Sequence, residues 1–263
     1  MLRKITYILL SLYAILILYT IIGRYFGQGY QPIFTPLLTL LAFIFAILHA
    51  SQFMGWRRAS VLLGTTFSIS LLFECVGVAT GFVYGPYHYT EKLGIKFLNL
   101  VPLLIPITWF MMSYPAFVIA VQILKPRQKI WVWRLAVATV GALVMTAWDL
   151  AMDPLMVAGG HWIWEVQGGY FGIPVQNFWG WWLTVFVSFS VFLWLINLTP
   201  GFLDPARSQG KLFIQLAVLS YAITGFSTVV TNFQAGLTGP GLVGLFSMGP
   251  WIIYTWITEE NNG

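Results

Sequence analysis

Eight runs of about twenty apolar residues divide this chain, at roughly 5–22, 33–51, 59–79, 101–124, 132–153, 177–198, 211–230 and 241–257. A helix of about 20 residues crosses the ~30 Å hydrocarbon core of a bilayer. Backbone exposed to lipid must satisfy its own hydrogen bonds, which leaves helices or closed barrels. The pattern predicts an all-α fold, a polytopic membrane helix bundle of about eight transmembrane helices with two aromatic-rich outer loops, in one integral membrane domain over 1–263. Composition agrees: 59% of the residues are hydrophobic and 8% are charged, against roughly 25% charged in soluble domains. The last run is the weakest because Gly249-Pro250 interrupts it. Pro102, Pro106 and Pro115 interrupt the fourth, so neighbouring helices must satisfy the backbone groups freed there. Arg3 and Lys4 before the first run imitate a signal peptide, but the run continues to Ile22 with no small-residue cleavage site after it, so it reads as a retained span.

The formal charge of +5 does not make a nucleic-acid surface, because the basic residues sit in short loops between apolar runs rather than in a stripe. With eight spans, one side carries Arg3, Lys4, Arg57, Arg58, Lys125, Arg127, Lys129, Arg134, Arg207 and Lys211. The other carries Arg24, Lys92 and Lys96. Positive loops are cytoplasmic, so both termini are expected in the cytoplasm and the poorly charged side outside the cell membrane. Cys75 is the single cysteine and cannot form an internal disulfide.

Two outer loops stand apart, about 81–100 and about 154–176, both rich in glycine and aromatics. The first reads His88-Tyr-Thr, then Val101-Pro102, then Trp109; the second reads His161-Trp-Ile, then Ile173-Pro174, then Trp181. The His-to-Pro gaps are 14 and 13 residues and both Pro-to-Trp gaps are 7. This is the signature of a weak internal repeat over about 59–124 and 132–198, although loops of this composition also look alike without common origin. Paired repeats often place a site at their interface.

Three of the eight acidic residues, Glu74, Asp149 and Asp153, fall inside apolar runs. A charge at bilayer depth costs at least about 2.5–3.5 kcal/mol on insertion scales, and such residues usually mark chemistry or transport. Asp149 and Asp153 are four apart and share a helical face. Pro154 follows, and the residue before a proline resists the helical conformation, so the helix is expected to end at about Asp153. Desolvation, the negative helix terminus and the second carboxyl each disfavour charge on the pair. A carboxylic acid that keeps its proton in an apolar site is equipped as a general acid. Glu74 lies one to two turns below the outer surface, at the same depth; Glu165 belongs to a solvated loop. The plainer alternative is that these acids bond freed backbone or pair with a base, but no Lys or Arg falls in the outer half of any span. His88 and His161 stand between proton relay and loop packing, and His49, near the cytoplasmic side, reads as structural. Tyr84, Tyr87, Tyr89, Trp148, Trp162, Trp164, Trp179, Trp181 and Trp182 crowd the acid-bearing side. An interfacial aromatic belt accounts for many of them but not for the excess on one side. Aromatic faces also stabilise a desolvated cation, by about 2 kcal/mol or more, so an acid beside them is equipment for protonating an alkene and sheltering the carbocation.

Three histidines are too few for a membrane di-iron oxygenase. There is no phosphate-cradling glycine loop and no His-Glu-x-x-His zinc motif. Asp149-x-x-x-Asp153 is half of a prenyltransferase-like magnesium site, without the second acidic motif or the basic residues a diphosphate needs. Leu72 to Phe82, Tyr84 to Thr90, Val101 to Pro106, Trp109 to Met112, Trp148 to Pro154 with Trp162 and Trp164, and Gly172 to Phe178 together resemble the CruF-type carotenoid hydratases, which include the bisanhydrobacterioruberin hydratases. The resemblance covers about Ser70 to Trp182. It implies addition of water across the terminal isoprenoid double bond of an acyclic carotenoid end, giving a tertiary alcohol, with no cofactor and no metal. Asp149 or Asp153 would be the acid, and Glu74 or His88 would orient the water. Tyr84, Tyr87, Tyr89, Trp109, Trp148, His161, Trp162, Trp164, Asn177 and Trp181 would line the substrate. The implied partners are carotenoid, water, membrane lipid and other carotenoid-pathway enzymes, with no nucleic acid. Two rivals use the same acids: a proton-coupled transporter, and another carbocation enzyme such as a cyclase, isomerase or prenyltransferase.

Overall fold

The computed structural model describes residues 1–29, 31–124, 129–198 and 210–260; of the charges used to orient the chain, Lys125, Arg127 and Arg207 lie outside them. Eight long helices run α1 Leu2–Tyr25, α2 Phe34–Met54, α3 Trp56–Thr80, α4 Leu104–Ile123, α5 Ile130–Ala158, α6 Val175–Leu195, α7 Lys211–Gln234 and α8 Thr238–Glu260. By length and composition α1 to α7 can each cross a membrane, which makes this an integral membrane protein. The eighth helix, the run broken by Gly249-Pro250, is not among those seven.

α4 is the axle of the bundle. Every residue from Trp109 to Val121 is buried, and α2, α3, α5, α7 and α8 all pack on it. Small residues bring helices close where lipid gives no hydrophobic drive: Gly141 of α5 lies directly against the Phe189 ring of α6. α3 stops at Gly81, whose φ of 71° is the left-handed turn that glycine accepts readily, with its N–H on the Gly77 carbonyl.

α5 does not end at Asp153 as Pro154 predicts; it continues through the proline to Ala158. A proline inside a helix leaves the carbonyl four residues back without its donor. Here that carbonyl is Leu150 O, and the Tyr170 hydroxyl donates to it at 2.7 Å. The next carbonyl, Ala151 O, accepts from Asn232 Nδ2 at 2.9 Å. The Tyr170 hydroxyl therefore replaces the donor the proline removes, Asn232 adds a second tertiary bond one residue on, and both aspartates sit more than a turn short of the helix end.

The two loops meet. The first carries β1 Tyr87–Tyr89, a 3₁₀ turn at Glu91–Leu93 and the pair β2 Lys96–Phe97 with β3 Val101–Pro102; the second carries β4 Trp162–Trp164. β1 and β4 pair antiparallel, Tyr87 with Trp164, His88 with Ile163 and Tyr89 with Trp162. Thr90 Oγ1 donates to Gly160 O at 2.8 Å, and Lys92 Nζ to Gly159 O, at the end of α5, at 2.6 Å. A ribbon thus ties the α3–α4 connection to the α5–α6 connection across one end of the bundle.

Candidate active site

Side chains alternate along a strand, and β1 uses that alternation to divide three consecutive residues. Tyr87 and Tyr89 turn into the bundle and are buried; His88 between them faces out. The two phenols donate to the same oxygen of Glu74, Oε2, Tyr89 at 2.8 Å and Tyr87 in a shorter contact. The Trp109 indole N–H donates to the other oxygen, Oε1, at 3.0 Å. Burial, and then the Glu74 charge, push the Tyr87 and Tyr89 phenols well above the ordinary range, so both stay donors at physiological pH. Glu74 therefore receives three hydrogen bonds and has no Lys or Arg partner among the described residues.

The second acidic centre is one turn of α5. Asn177 stands in the first turn of α6, its N–H on the carbonyl of Pro174, the residue that starts the helix. Its amide nitrogen donates to Asp149 Oδ2 at 2.9 Å and to Asp153 Oδ2 at 2.7 Å. An amide nitrogen carries two hydrogens, so one goes to each aspartate. Asp153 Oδ1 also accepts from Trp162 Nε1 at 2.6 Å. Asp149 Oδ1 is buried with no hydrogen-bond partner among the described residues; the indole Nε1 of Trp164, beside Asp153, makes no hydrogen bond of normal geometry among them either.

Between the two centres lies a cleft of about 820 Å³, counting its open mouth. Glu74 and Asp153 both face it, as does Asn177; Asp149 stands behind Asp153 and does not. Its walls are aromatic. Trp109 and Trp181 stack with centroids 4.1 Å apart, and Trp148 meets Trp181 edge-on at 6.0 Å. Trp148 is pinned by its N–H on Thr228 Oγ1 at 3.1 Å. Tyr84 completes the wall, its ring held between Gly77 of α3 and Gly180 of α6 and its hydroxyl on Thr184 at 2.8 Å. Among the described residues no group of three or more His, Cys, Asp or Glu gathers as metal ligands do.

The structure thus brings together on one cleft Glu74, Asp153, Tyr84, Tyr87, Tyr89, Trp109, Trp148, Trp162, Trp164, Asn177 and Trp181, with Asp149 adjoining through Asn177. It does not bring in the two histidines. His88 is half exposed and contacts Glu165 on the surface at 3.2 Å. His161 is buried, but its Nδ1 is 3.3 Å from Met156 O and it is not part of the cleft wall. Burial lowers the His161 pKa below its ordinary value, and the Lys92 charge adds to that. The neighbour of each histidine, Tyr89 and Trp162, is the residue that reaches an acid. The reading of residues alone passed over Thr35, Thr39 and Thr108, which also line the cleft. The one signal they carry is that Thr35 and Thr39 lie four apart on one face of α2.

A family model described as "Carotenoid biosynthesis protein" matches residues 34–250. Over 136 residues the chain is 34% identical to a bisanhydrobacterioruberin hydratase of Haloarcula japonica. That alignment takes in 52% of this chain and 45% of the relative, so the chain matches less than half of the relative's length. No solved structure matches the chain.

Proposed function

The chain belongs to the carotenoid biosynthesis protein family, and we propose that it is a hydratase that adds water across the terminal isoprenoid double bond of an acyclic carotenoid end. The observation that carries this reading is the carboxyl pair Asp149 and Asp153, bridged by one amide and opening through Asp153 onto an aromatic cleft that Glu74 also faces. The hydratase name of the relative in Haloarcula japonica supports it.

Asp153 is the acid. Its carboxyl proton adds to the CH carbon of the terminal double bond, the π pair forms the new C–H bond, and positive charge develops on the tertiary carbon. The faces of Trp109, Trp148 and Trp181 stabilise that charge without water having to reorganise. Asp149, too close to Asp153 for two full charges to coexist in a site without a base, holds the pair to a shared proton. Glu74, served by three donors, is the carboxylate that orients the attacking water and takes its second proton as the C–O bond forms. Water entering after release of the tertiary alcohol carries that proton back to the aspartates. No group is oxidised or reduced, and the sum is alkene plus water. Trp164 Nε1, lining the cleft beside Asp153 and making no hydrogen bond of normal geometry among the described residues, supplies a donor for the water or the product hydroxyl.

We read the cleft as lying on the outer side, with the termini cytoplasmic, because positive loops stay inside. The two halves read as duplicated hairpins. The pairing of Tyr89 with Trp162 and the stacking of Trp109 on Trp181, each its counterpart in the other half, support this reading.

The test is expression in a host that accumulates an acyclic carotenoid, with mass analysis of the extracted pigment. Wild type should yield pigment heavier by one water per reacted end, and Asp153→Asn, at equal membrane level, none. Pigment of unchanged mass from wild type would point to isomerisation or cyclisation instead.

A further inference from the structure

The cleft needs an entrance that a long polyene can use. The loop end is closed: the β1–β4 ribbon lies over it, with the Tyr87 and Trp164 rings 5.0 Å apart and Thr90 and Lys92 fastening the two loops. The α3–α6 side is closed by Tyr84 wedged against Gly77 and Gly180. The α2 side differs. The buried residues of α2 begin at Ala42; none of Phe34 to Leu41 is buried, although Thr35 and Thr39 in that stretch line the cleft. Facing them are Leu104 and Thr108 in the first two turns of α4, half-buried and also on the cleft wall. Leu38 and Leu41 pack on the core and Phe34 on Tyr19 of α1, but the wall that Thr35, Thr39 and Thr108 give the cleft is only partly covered, and we read this as a slot between the first two turns of α2 and α4.

The surroundings of the slot are apolar. Ile33, Leu37 and Leu40 on α2, and Leu103 at the start of α4, are exposed, and the neighbouring hairpin turns out Ile95 and Leu98, 80% and 71% exposed. Exposed apolar residues gathered around one opening mark a surface that meets something apolar, and in a membrane helix bundle that is lipid. The enclosed part of the cleft, about 160 Å³, is small beside the ~300–1,000 Å³ of ordinary small-ligand sites, whereas an extended forty-carbon polyene is about as long as the bilayer is thick.

From this geometry we propose that the slot between the first two turns of α2 and α4 is a lateral portal through which the acyclic end of the polyene enters from lipid, end first, while the remainder of the molecule stays outside the protein. The identity of the ligand rests on the hydratase reading; the portal itself rests on the slot. The enzyme then reads an end group and not a whole carotenoid, and the hydroxyls of Thr39 and Thr108 give the alcohol product polar contacts on its way out.

The test uses full-length protein in lipid nanodiscs with an acyclic C40 polyene and two readouts. One is induced circular dichroism in the visible band of the polyene, which reports binding in a chiral site without chemistry. The other is product mass. Thr39→Trp and Thr108→Trp, which fill the slot, should abolish the induced signal and lower hydration about tenfold or more. Ile8→Trp and Leu143→Trp, at exposed positions of α1 and α5 that belong neither to the cleft wall nor to the rim of the slot, should leave both within about twofold of wild type. Thr39→Leu, a smaller filling, should give an intermediate loss, which separates blockage from misfolding. Retention of both signals in the two slot-filling variants, with the monodisperse elution of wild type, would overturn the portal. An induced signal that the fillings abolish, in a protein that adds no water, would uphold the portal while removing the hydratase reading. Loss of hydration in Asp153→Asn with fillings that change nothing would do the reverse.

Discussion

Two of the buried polar centres among the described residues are built to opposite rules. The one away from the loops is His49 on α2, wholly buried. Its Nε2 is 2.7 Å from the Phe213 carbonyl and its Nδ1 is 2.5 Å from the Tyr114 hydroxyl, with the Phe213 ring stacked on it at 4.4 Å. A neutral imidazole has one donor and one acceptor; a carbonyl takes the first and a phenol supplies the second. It lines none of the cleft. The centre at the loop end has Glu74 and Asp153 on that cleft with Asp149 behind Asp153, and among the described residues Asp149 Oδ1 and Trp164 Nε1 make no hydrogen bond. A buried polar atom left unpaired costs about 1–3 kcal/mol. The difference is one of valence and place: that of His49 is closed, whereas the cleft centre keeps Trp164 Nε1 open beside a space where another molecule fits; open valence alone is no such mark, since Ser113 Oγ and Asn232 Oδ1 are unpaired away from the cleft.

Substitutions can break this contrast or sharpen it. The largest effect belongs to Asp153→Asn, which keeps the shape and an acceptor for the Trp162 N–H but has no acidic proton. Hydration should fall by about 10²–10⁴-fold, the worth of a general acid, with the thermal midpoint of the detergent-solubilised protein close to wild type. Asn177→Leu should come next, because it removes the bridge from both aspartates at once. Activity should drop about a hundredfold and stability by roughly 1–3 kcal/mol, read as turnover and as denaturation midpoint on one preparation. His49→Phe should give the opposite signature. Two partners lose their bonds, so stability should fall by about 2–4 kcal/mol, while turnover per folded molecule is unchanged. Any specific loss of turnover there would erase the distinction between the centres.

Two smaller effects concern the histidines that the loops hold away from the cleft. Burial lowers the His161 pKa from 6.5, so the unfolded chain binds this proton more readily than the folded one. The stability this histidine contributes is complete above about pH 6.5 and is lost as the pH falls below it. The thermal midpoint should decline on acidification below that point, and less steeply in His161→Gln. His88→Ala should change turnover least, within about 0.5 kcal/mol of activation free energy, since His88 touches only Glu165 on the surface.

The bundle is legible in the residues because twenty-residue apolar runs have few other uses, and the embedded acids are legible because charge in such runs is rare. Less legible is what depends on partners distant in sequence. Pro154 correctly announces a freed carbonyl, but nothing local says that Tyr170 will supply its donor, so the end of α5 is misplaced by a turn. A three-residue strand such as Tyr87–Tyr89 carries no periodic signal, and its pairing with Trp162–Trp164 decides that Tyr89 and Trp162, not His88 and His161, reach the acids. Asn177 is visible only through the family resemblance, since a single amide at a helix start has many ordinary uses. The slot beside α2 shows in the burial pattern of the folded chain alone.

A hydratase of this kind delivers a carboxyl proton to an alkene carbon and lets water capture the resulting cation. The direct measurement is the isotopic mass of the product that purified protein makes from an acyclic polyene in heavy water and, separately, in water labelled with ¹⁸O. One carbon-bound deuterium and one ¹⁸O per reacted end are predicted, both absent with Asp153→Asn. Product oxygen that does not come from water, or full labelling by Asp153→Asn, would contradict it.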